Sequence, residues 1–398
     1  MKYCVCRLAT LRRFFLLIIA SVMHVPLLFA QAEQPNTPVQ ATFPAYHLDT
    51  IATALHFPWS LAFLPDGKLL VTERTGQLRM VNNGEVSAPI TGLPDDIYVK
   101  SQGGLLDVIL HPNYQQNGWL YLSYASGTDE HNALTLMRAK LDGLSLVEQQ
   151  VLFRVSPDKD TPVHFAGRMT FLADNTLLLT SGDGFDYREK AQLKNTLLGK
   201  IVRLMDDGSV PLDNPFVAAS EVSADADYDP LVSPFIYSLG HRNPQGIAYD
   251  SARKVVFAHE HGPAGGDEIN IIEAGHNYGW PVITNGLDYS GARISPFTTY
   301  PNMQQPWLDW TPSIAPSGMA IYQGAMFAGL QGDILVTSLK FKQVYWLHMA
   351  GMKIVQQSTL FSEIGQRLRD IRVHPDGSIY VLTDSNEGQI LRISAQTP

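Results

Sequence analysis

One short phrase recurs six times along this 398-residue chain, and it constrains the fold more than any other feature. Each copy is a turn rich in Pro, Asp, Asn or Gly, followed by an apolar strand. Leu69-Leu70-Val71-Thr72 follows Pro65-Asp66-Gly67, and Leu120 to Tyr124 follows His111-Pro112-Asn113. Leu177 to Thr180 follows Ala173-Asp174-Asn175, and Val255 to Ala258 follows Tyr249-Asp250. Ile334 to Thr337 follows Gln331-Gly332-Asp333, and Ile379 to Thr383 follows His374-Pro375-Asp376-Gly377. Two copies, FLPDGKLLVTE and VHPDGSIYVLTD, match almost residue for residue. Such turn residues tolerate the backbone angles of a tight hairpin. A lone hairpin cannot bury both faces, so the units must pack on one another. The expected fold is all-β, a six-bladed β-propeller. A β-sandwich or a ring with another number of blades is the competing arrangement. The spacing stretches over residues 184–240 and 262–320, which read as long Gly/Pro/Asn-rich functional loops.

A segment of another kind precedes the first copy. Lys2, Arg7, Arg12 and Arg13 lead into an apolar run from Phe14 to Ala30, and Ala30-Gln31-Ala32 ends it. Basic start, apolar middle and A-x-A exit make residues 1–32 a cleavable secretory signal peptide. An uncleaved membrane anchor is the competing reading, and His24 and Pro26 within the run weigh against it. The protein is therefore expected in the periplasm or outside the cell, with no stable membrane insertion after cleavage at Ala30 or Ala32. Residues 33–45 read as a disordered lead-in, and 46–398 as a single propeller domain. Both cysteines, Cys4 and Cys6, fall inside the signal. The mature chain then has no thiol, which excludes disulfide staples and Cys-built metal sites. Its 25 Lys+Arg against 38 Asp+Glu also argue against nucleic acid as a partner.

Several residues could carry chemistry. His164 precedes the third copy, and Asp183 follows its strand. The start of one strand and the end of its antiparallel neighbour share a rim, so the two side chains could meet. A carboxylate beside imidazole fixes its tautomer, as a general base requires. A lone loop histidine is more often solvated, and an aspartate between glycines is often a turn residue. The stretch from Ser238 to Asp250 holds His241, Arg242, Asn243 and Gln245. The stretch from Glu260 to Pro281 combines Glu260, Asp267, Glu268 and Tyr278 with glycines, an oxygen-donor set suited to a hard cation such as calcium. Carboxylates near glycines are also common in plain turns. Lys340, Arg367 and Arg369 sit at repeat edges. Arg367 and Arg369 are two residues apart, which on a strand points both the same way. Three cations at one rim of an acidic protein fit an anionic ligand with several carboxylates.

These residues lie in motifs that together resemble the soluble pyrroloquinoline quinone (PQQ) sugar dehydrogenases, most closely the periplasmic aldose sugar dehydrogenase branch. The motifs are QGGLLDVILHP, HFAGRMTF, LGHRNPQGIA, EHGPAGGDEINII, NYGWP, APSGM, SLK and RLRD, between Phe57 and Ile393. The family fold is a six-bladed propeller, in agreement with the repeat count. The resemblance implies that His164 is the base that takes the sugar's anomeric proton and that Asp183 orients it. It implies that Gln102, Arg242 and Asn243 lie beside cofactor and substrate, and that Arg242 stabilises developing charge. It makes Lys340, Arg367 and Arg369 a clamp on the PQQ carboxylates. It makes the carbonyls of Gly262 and Pro263 ligands of a catalytic calcium, and Glu268 and Tyr278 ligands of a structural one. The implied reaction is PQQ- and calcium-dependent oxidation of an aldose at C1 to its lactone, with an external electron acceptor and a monomeric or homodimeric enzyme. Three departures put glucose specificity in doubt, one being that the region after Trp310 lacks an aromatic that shapes the sugar pocket of glucose-preferring members. His261 stands where glucose-preferring members have Gln, and Val163 where they have Asp. Two other functions compete: a calcium-dependent sugar-lactone hydrolase on a six-bladed propeller, and a non-catalytic propeller that binds carbohydrate or protein.

Overall fold

The computed structural model describes residues 41–217 and 227–396. The expected signal peptide lies outside the described residues. The rest forms six four-stranded antiparallel sheets, arranged as a propeller. The innermost strands are Pro58–Phe63, Leu105–Leu110, Ala166–Phe171, Pro244–Asp250, Pro316–Ile321 and Leu368–Val373, in blades 1 to 6. They pack side by side in order, and blade 6 returns to blade 1. The six repeated phrases are the second strands of the six blades, one each. The stretches at 184–240 and 262–320 are only partly loop, because each also supplies the two outer strands of its blade. Among the described residues, no helix is long and apolar enough to cross a membrane.

Blade 6 is closed from the far end of the sequence. Its outermost strand is Tyr46–Leu55, which pairs antiparallel with Gly388–Ala395 and sets Tyr46 opposite Ala395. Residues 41–45, expected as part of a disordered lead-in, are instead anchored. Ala41 N–H donates to Gln356 Oε1 at 2.7 Å, and the Phe43 ring packs on Tyr46, Phe327, Trp346 and Phe361. The Gln/Pro/Asn/Thr-rich composition hid one aromatic ring that has a buried surface to join.

A shared irregularity shapes the upper rim. In all six blades, the ladder between the inner and second strands shifts register near the start of the inner strand. A bulge bends the strand, re-aims a side chain and leaves a backbone group unpaired. The repeated phrase supplies partners for these groups. Thr72, Ser123, Thr180 and Thr337 accept hydrogen bonds from the N–H groups of Ser60, Asp107, Arg168 and Gly318, at 2.8 to 3.1 Å. In these four blades the hydroxyl residue within an otherwise apolar strand is thus explained by the bulge beside it. Next to these bulges, Phe57, Ser101, His164, Ala166 and Ala315 hold positive φ without being glycine. Such strain gathers where a rim is built for function.

Candidate active site

His164 and Asp183 meet as their positions in blade 3 require. His164 enters the inner strand and Asp183 leaves the second, and Nδ1 lies 2.7 Å from Oδ1. A carboxylate can only accept, so Nδ1 carries the proton and Nε2 is left basic. Asp183 also accepts from the Phe185 N–H at 2.8 Å and the Trp280 indole at 2.7 Å. His164 itself is held at φ 54°. Its N–H donates to Gln102 Oε1 at 2.8 Å. Its carbonyl packs so closely on Gly182 that a Cβ there would approach to 2.2 Å. Both partners are buried. Burial lowers the His164 pKa below the usual imidazole value, and the Asp183 bond only partly opposes it. Burial pushes the Asp183 carboxyl up, but its bond to His164 and the charges of His164 and Arg242 outweigh this and hold it low. The pair is therefore a neutral imidazole on a carboxylate at neutral pH. Lys159 is close by, and burial lowers its ammonium to a pKa of about 7.

Arg242 and Asn243 enter blade 4 beside this pair. Arg242 Nη1 donates to the carbonyls of His261 and Gly262 at 3.1 and 2.8 Å. Their backbone is fixed by Glu260, whose carboxylate accepts from the N–H of both residues and from His241 Nδ1. His241 Nε2 in turn lies 2.9 Å from Ser238 Oγ. This Ser-His-Glu chain resembles a hydrolase relay, yet Ser238 is fully buried, so no substrate carbonyl can reach it.

A cleft of about 230 Å³ opens on the propeller axis, between the starts of the inner strands. Trp59, Gln102, Asn243, His261, Arg367 and Arg369 are among its walls. His261 Nε2 donates to the Pro316 carbonyl at 2.6 Å, and burial lowers its pKa to about 4, so it stays neutral. Arg367 and Arg369 reach one carboxylate, Asp384, at 3.1 and 3.2 Å. The Nε of Arg369 is buried with no acceptor. Arg74 also lines the cleft, a cation that motif reading passed over. Arg74 and Asp384 could have been found by position, since both directly follow the second strand of their blade, one residue nearer the strand than Asp183. Lys340 stands slightly apart. Its Nζ donates to the Ser313 carbonyl at 3.0 Å, and the wall at that point is Leu339.

The expected metal residues divide into two places. Gly262, Glu268 and Tyr278 border a small cavity of about 20 Å³, with Glu260, Gly266 and Thr284. That is room for one water or one ion. Glu268 lies directly across the ladder from Glu260. Its carboxyl accepts from Asn270 at 2.8 Å, and no cation among the described residues pairs with it. Burial and the Glu260 charge raise its pKa well above the usual value. The Tyr278 hydroxyl donates to the Ile271 carbonyl and accepts from the Glu273 N–H, which leaves only its backbone carbonyl for a ligand role. Pro263, next to Gly262 in the chain, lines an adjoining pocket with Phe185 and Tyr289, and the two pockets share Arg242 and Trp280. Among the described residues, no three His, Cys, Asp or Glu side chains converge as a metal cluster. Any cation here would depend on backbone carbonyls as well as Glu268, a donor set suited to calcium.

The profile of the family described as Glucose / Sorbosone dehydrogenase matches residues 55–392, nearly the whole ring. The chain belongs to this family. It is an oxidoreductase of the glucose and aldose sugar dehydrogenase type. It is 38% identical over 355 residues to an aldose sugar dehydrogenase of Escherichia coli, covering 87% of this chain and 92% of that one. It is 41% identical over 376 residues to an uncharacterised protein of Synechocystis, covering 90% and 88%. Among solved structures, the apo form of the soluble E. coli aldose sugar dehydrogenase superposes with a TM-score of 0.82 at 37% identity, covering 88% of this chain and all of that one. The PQQ-bound form of an aldose sugar dehydrogenase from Streptomyces coelicolor gives 0.69 at 26% identity, covering 89% and 99%.

Proposed function

We propose that this member of the sugar dehydrogenase family oxidises aldoses at C1 to lactones, using PQQ and calcium, and passes the electrons to an external acceptor. The observation that carries the reading is the orphaned, buried Nε of Arg369 in a cleft where Arg367, Arg369 and Arg74 gather beside the His164–Asp183 pair. A buried guanidinium donor without an acceptor calls for an anion. A planar tricarboxylate such as PQQ supplies one.

The residues fit both groups. Arg367, Arg369, Arg74 and Lys340 would hold the PQQ carboxylates, with Gln102 and Asn243 along its edge. The carbonyls of Gly262 and Pro263 would hold the catalytic calcium, and Glu268 with the Tyr278 carbonyl the structural one. When bound, PQQ supplies a two-electron acceptor, and calcium supplies Lewis acidity toward it. The chain's own residues then do three things. His164 Nε2 takes the proton of the anomeric hydroxyl, and Asp183 stabilises the imidazolium that forms. Arg242 provides a fixed positive charge for negative charge that builds up beside it. Gln102 holds the His164 backbone, so that the base is already in place when the sugar arrives.

The signal at 1–32 supports export to the periplasm or medium. The test is to mix apoprotein with PQQ and calcium and follow dye reduction with a panel of aldoses. The expected result is sugar-dependent reduction that requires PQQ. The absence of PQQ-dependent reduction with any sugar would overturn the proposal.

A further inference from the structure

The proposed reaction leaves unused a side chain that reaches across the whole ring, the Arg168 of the HFAGRMTF motif. Arg168 sits in the bulge of blade 3 and is only 3% exposed. Its guanidinium lies 3.9 Å over the Trp59 ring of blade 1. Nη1 is 3.6 Å from Asp107 of blade 2 and 3.0 Å from Asp370 of blade 6. Nε donates to the Gln245 carbonyl of blade 4 at 3.0 Å. Nη2 donates to the carbonyls of Ser317 in blade 5 and Arg369 in blade 6, at 3.0 and 3.2 Å. One side chain therefore touches the inner strands of all five other blades. A planar fork with five donors can do this, and a lysine cannot.

Its level on the axis matters as much as its reach. Three of its partners, Trp59, Gln245 and Arg369, line the cleft above. The residue that follows it, Met169, lines a separate groove of about 520 Å³ at the other end of the axis. Arg372 faces that lower groove and closes the ion network from below, at 2.8 Å from Asp107 and 2.9 Å from Asp370. Two arginines and two aspartates thus plug the channel between cleft and groove.

We propose that Arg168 is a positioning residue for the cofactor: it seals the floor of the cleft and fixes Trp59, Gln245 and Arg369 in the places where the cofactor meets them. This rests on the reading that the cleft binds PQQ. Arg369 is the key link, because its carbonyl is held by Arg168 while its side chain faces the cleft. Arg367 lies just before the strand and has no such tie.

The experiment is a double-mutant cycle on the apoprotein, titrated with PQQ. R168M is expected to weaken PQQ binding about tenfold. Combined with R369A, the loss should be clearly less than the product of the single losses; combined with R367A, it should equal that product. A merely structural role would lower the melting temperature and combine with both in the same way. That result, or an unchanged titration, would overturn the proposal. Failure of the wild type to bind PQQ would instead overturn the reading of the cleft. The tie itself is then decided by amide hydrogen exchange on the apoprotein. Faster exchange in the inner strands of all six blades of R168M supports it, and a change confined to blade 3 overturns it. R168K, which keeps the charge but loses the fork, carries both measurements if R168M does not fold.

Discussion

Glu260 and Glu268 face each other directly across adjacent strands of blade 4. Glu260 is committed to His241 and to the backbone of Arg242 and Asn243. Glu268 turns toward the small cavity and has only Asn270 as a polar partner among the described residues. A buried carboxylate facing a partly buried one favours a proton or a cation between them. A bound calcium would satisfy Glu268; without one, burial and the Glu260 charge raise its pKa and favour the protonated form.

Calcium should therefore raise the melting temperature of the wild type, and a chelator should lower it. At a hundred times the dissociation constant, a bound ion stabilises by about 2.7 kcal/mol. E268Q should lose most of that calcium response while staying folded without the metal. Scanning calorimetry with and without calcium checks this, and an equal shift in both proteins would reject Glu268 as a ligand.

H164Q should lower kcat by about 10²- to 10⁴-fold and leave PQQ binding unchanged. Near-normal turnover would remove His164 from the role of base. D183N should fall in the same direction and also lose stability, because Asp183 holds the Trp280 indole and the Phe185 N–H as well as the imidazole.

The pH profile follows from the lowered pKa of His164. The basic form should persist below the ordinary imidazole value of about 6.5, so kcat/KM should begin to fall only at a lower pH. Stability has the same sign. An unfolded imidazole takes up a proton near pH 6.5 while the folded one resists it, so the contribution is complete above that value and is lost as pH falls through the folded pKa. Turnover measured between pH 5 and 8 in wild type, with melting curves of wild type and H164Q over the same range, tests both, with about 6.5 as the reference point.

R367A and R369A should each weaken PQQ binding, and R369A more, because its guanidinium is the more buried. A lost charge-assisted hydrogen bond costs about 1.5–3 kcal/mol, roughly ten- to hundredfold in affinity. R74A should weaken binding in the same direction. Equilibrium titration of each apoprotein with PQQ at low and high salt would show it.

The blades were legible because each copy of the phrase is local: a turn and the strand that follows it. The His164–Asp183 pair was legible for the same reason, since a strand's start and its neighbour's end lie at one rim. Arg74 and Asp384 were harder to read, because neither sits in a chemical motif; only their shared place just past a second strand marks them, and they meet because ring closure makes blades 1 and 6 neighbours. Arg168 lies within a legible motif, but its part in the ring is not local, because its partners are spread from Trp59 to Asp370. Phe43 was lost in a polar stretch whose composition said nothing about the aromatic surface waiting on blades 5 and 6.

The closure of blade 6 by Tyr46–Leu55 has a consequence for how the molecule comes into being. The partners Tyr46 and Ala395 are separated by almost the entire domain, so this joint pays the largest loop-closure entropy of any ladder in the ring. Blades 1 to 5 can assemble as their strands appear, but blade 6 waits for both ends of the chain. The same joint brings the two termini of the domain together at one outer edge, on the flank of the ring. A circular permutant that links them there and opens a different blade tip would keep every side chain of the cleft in place, and would move the last step of folding to another blade.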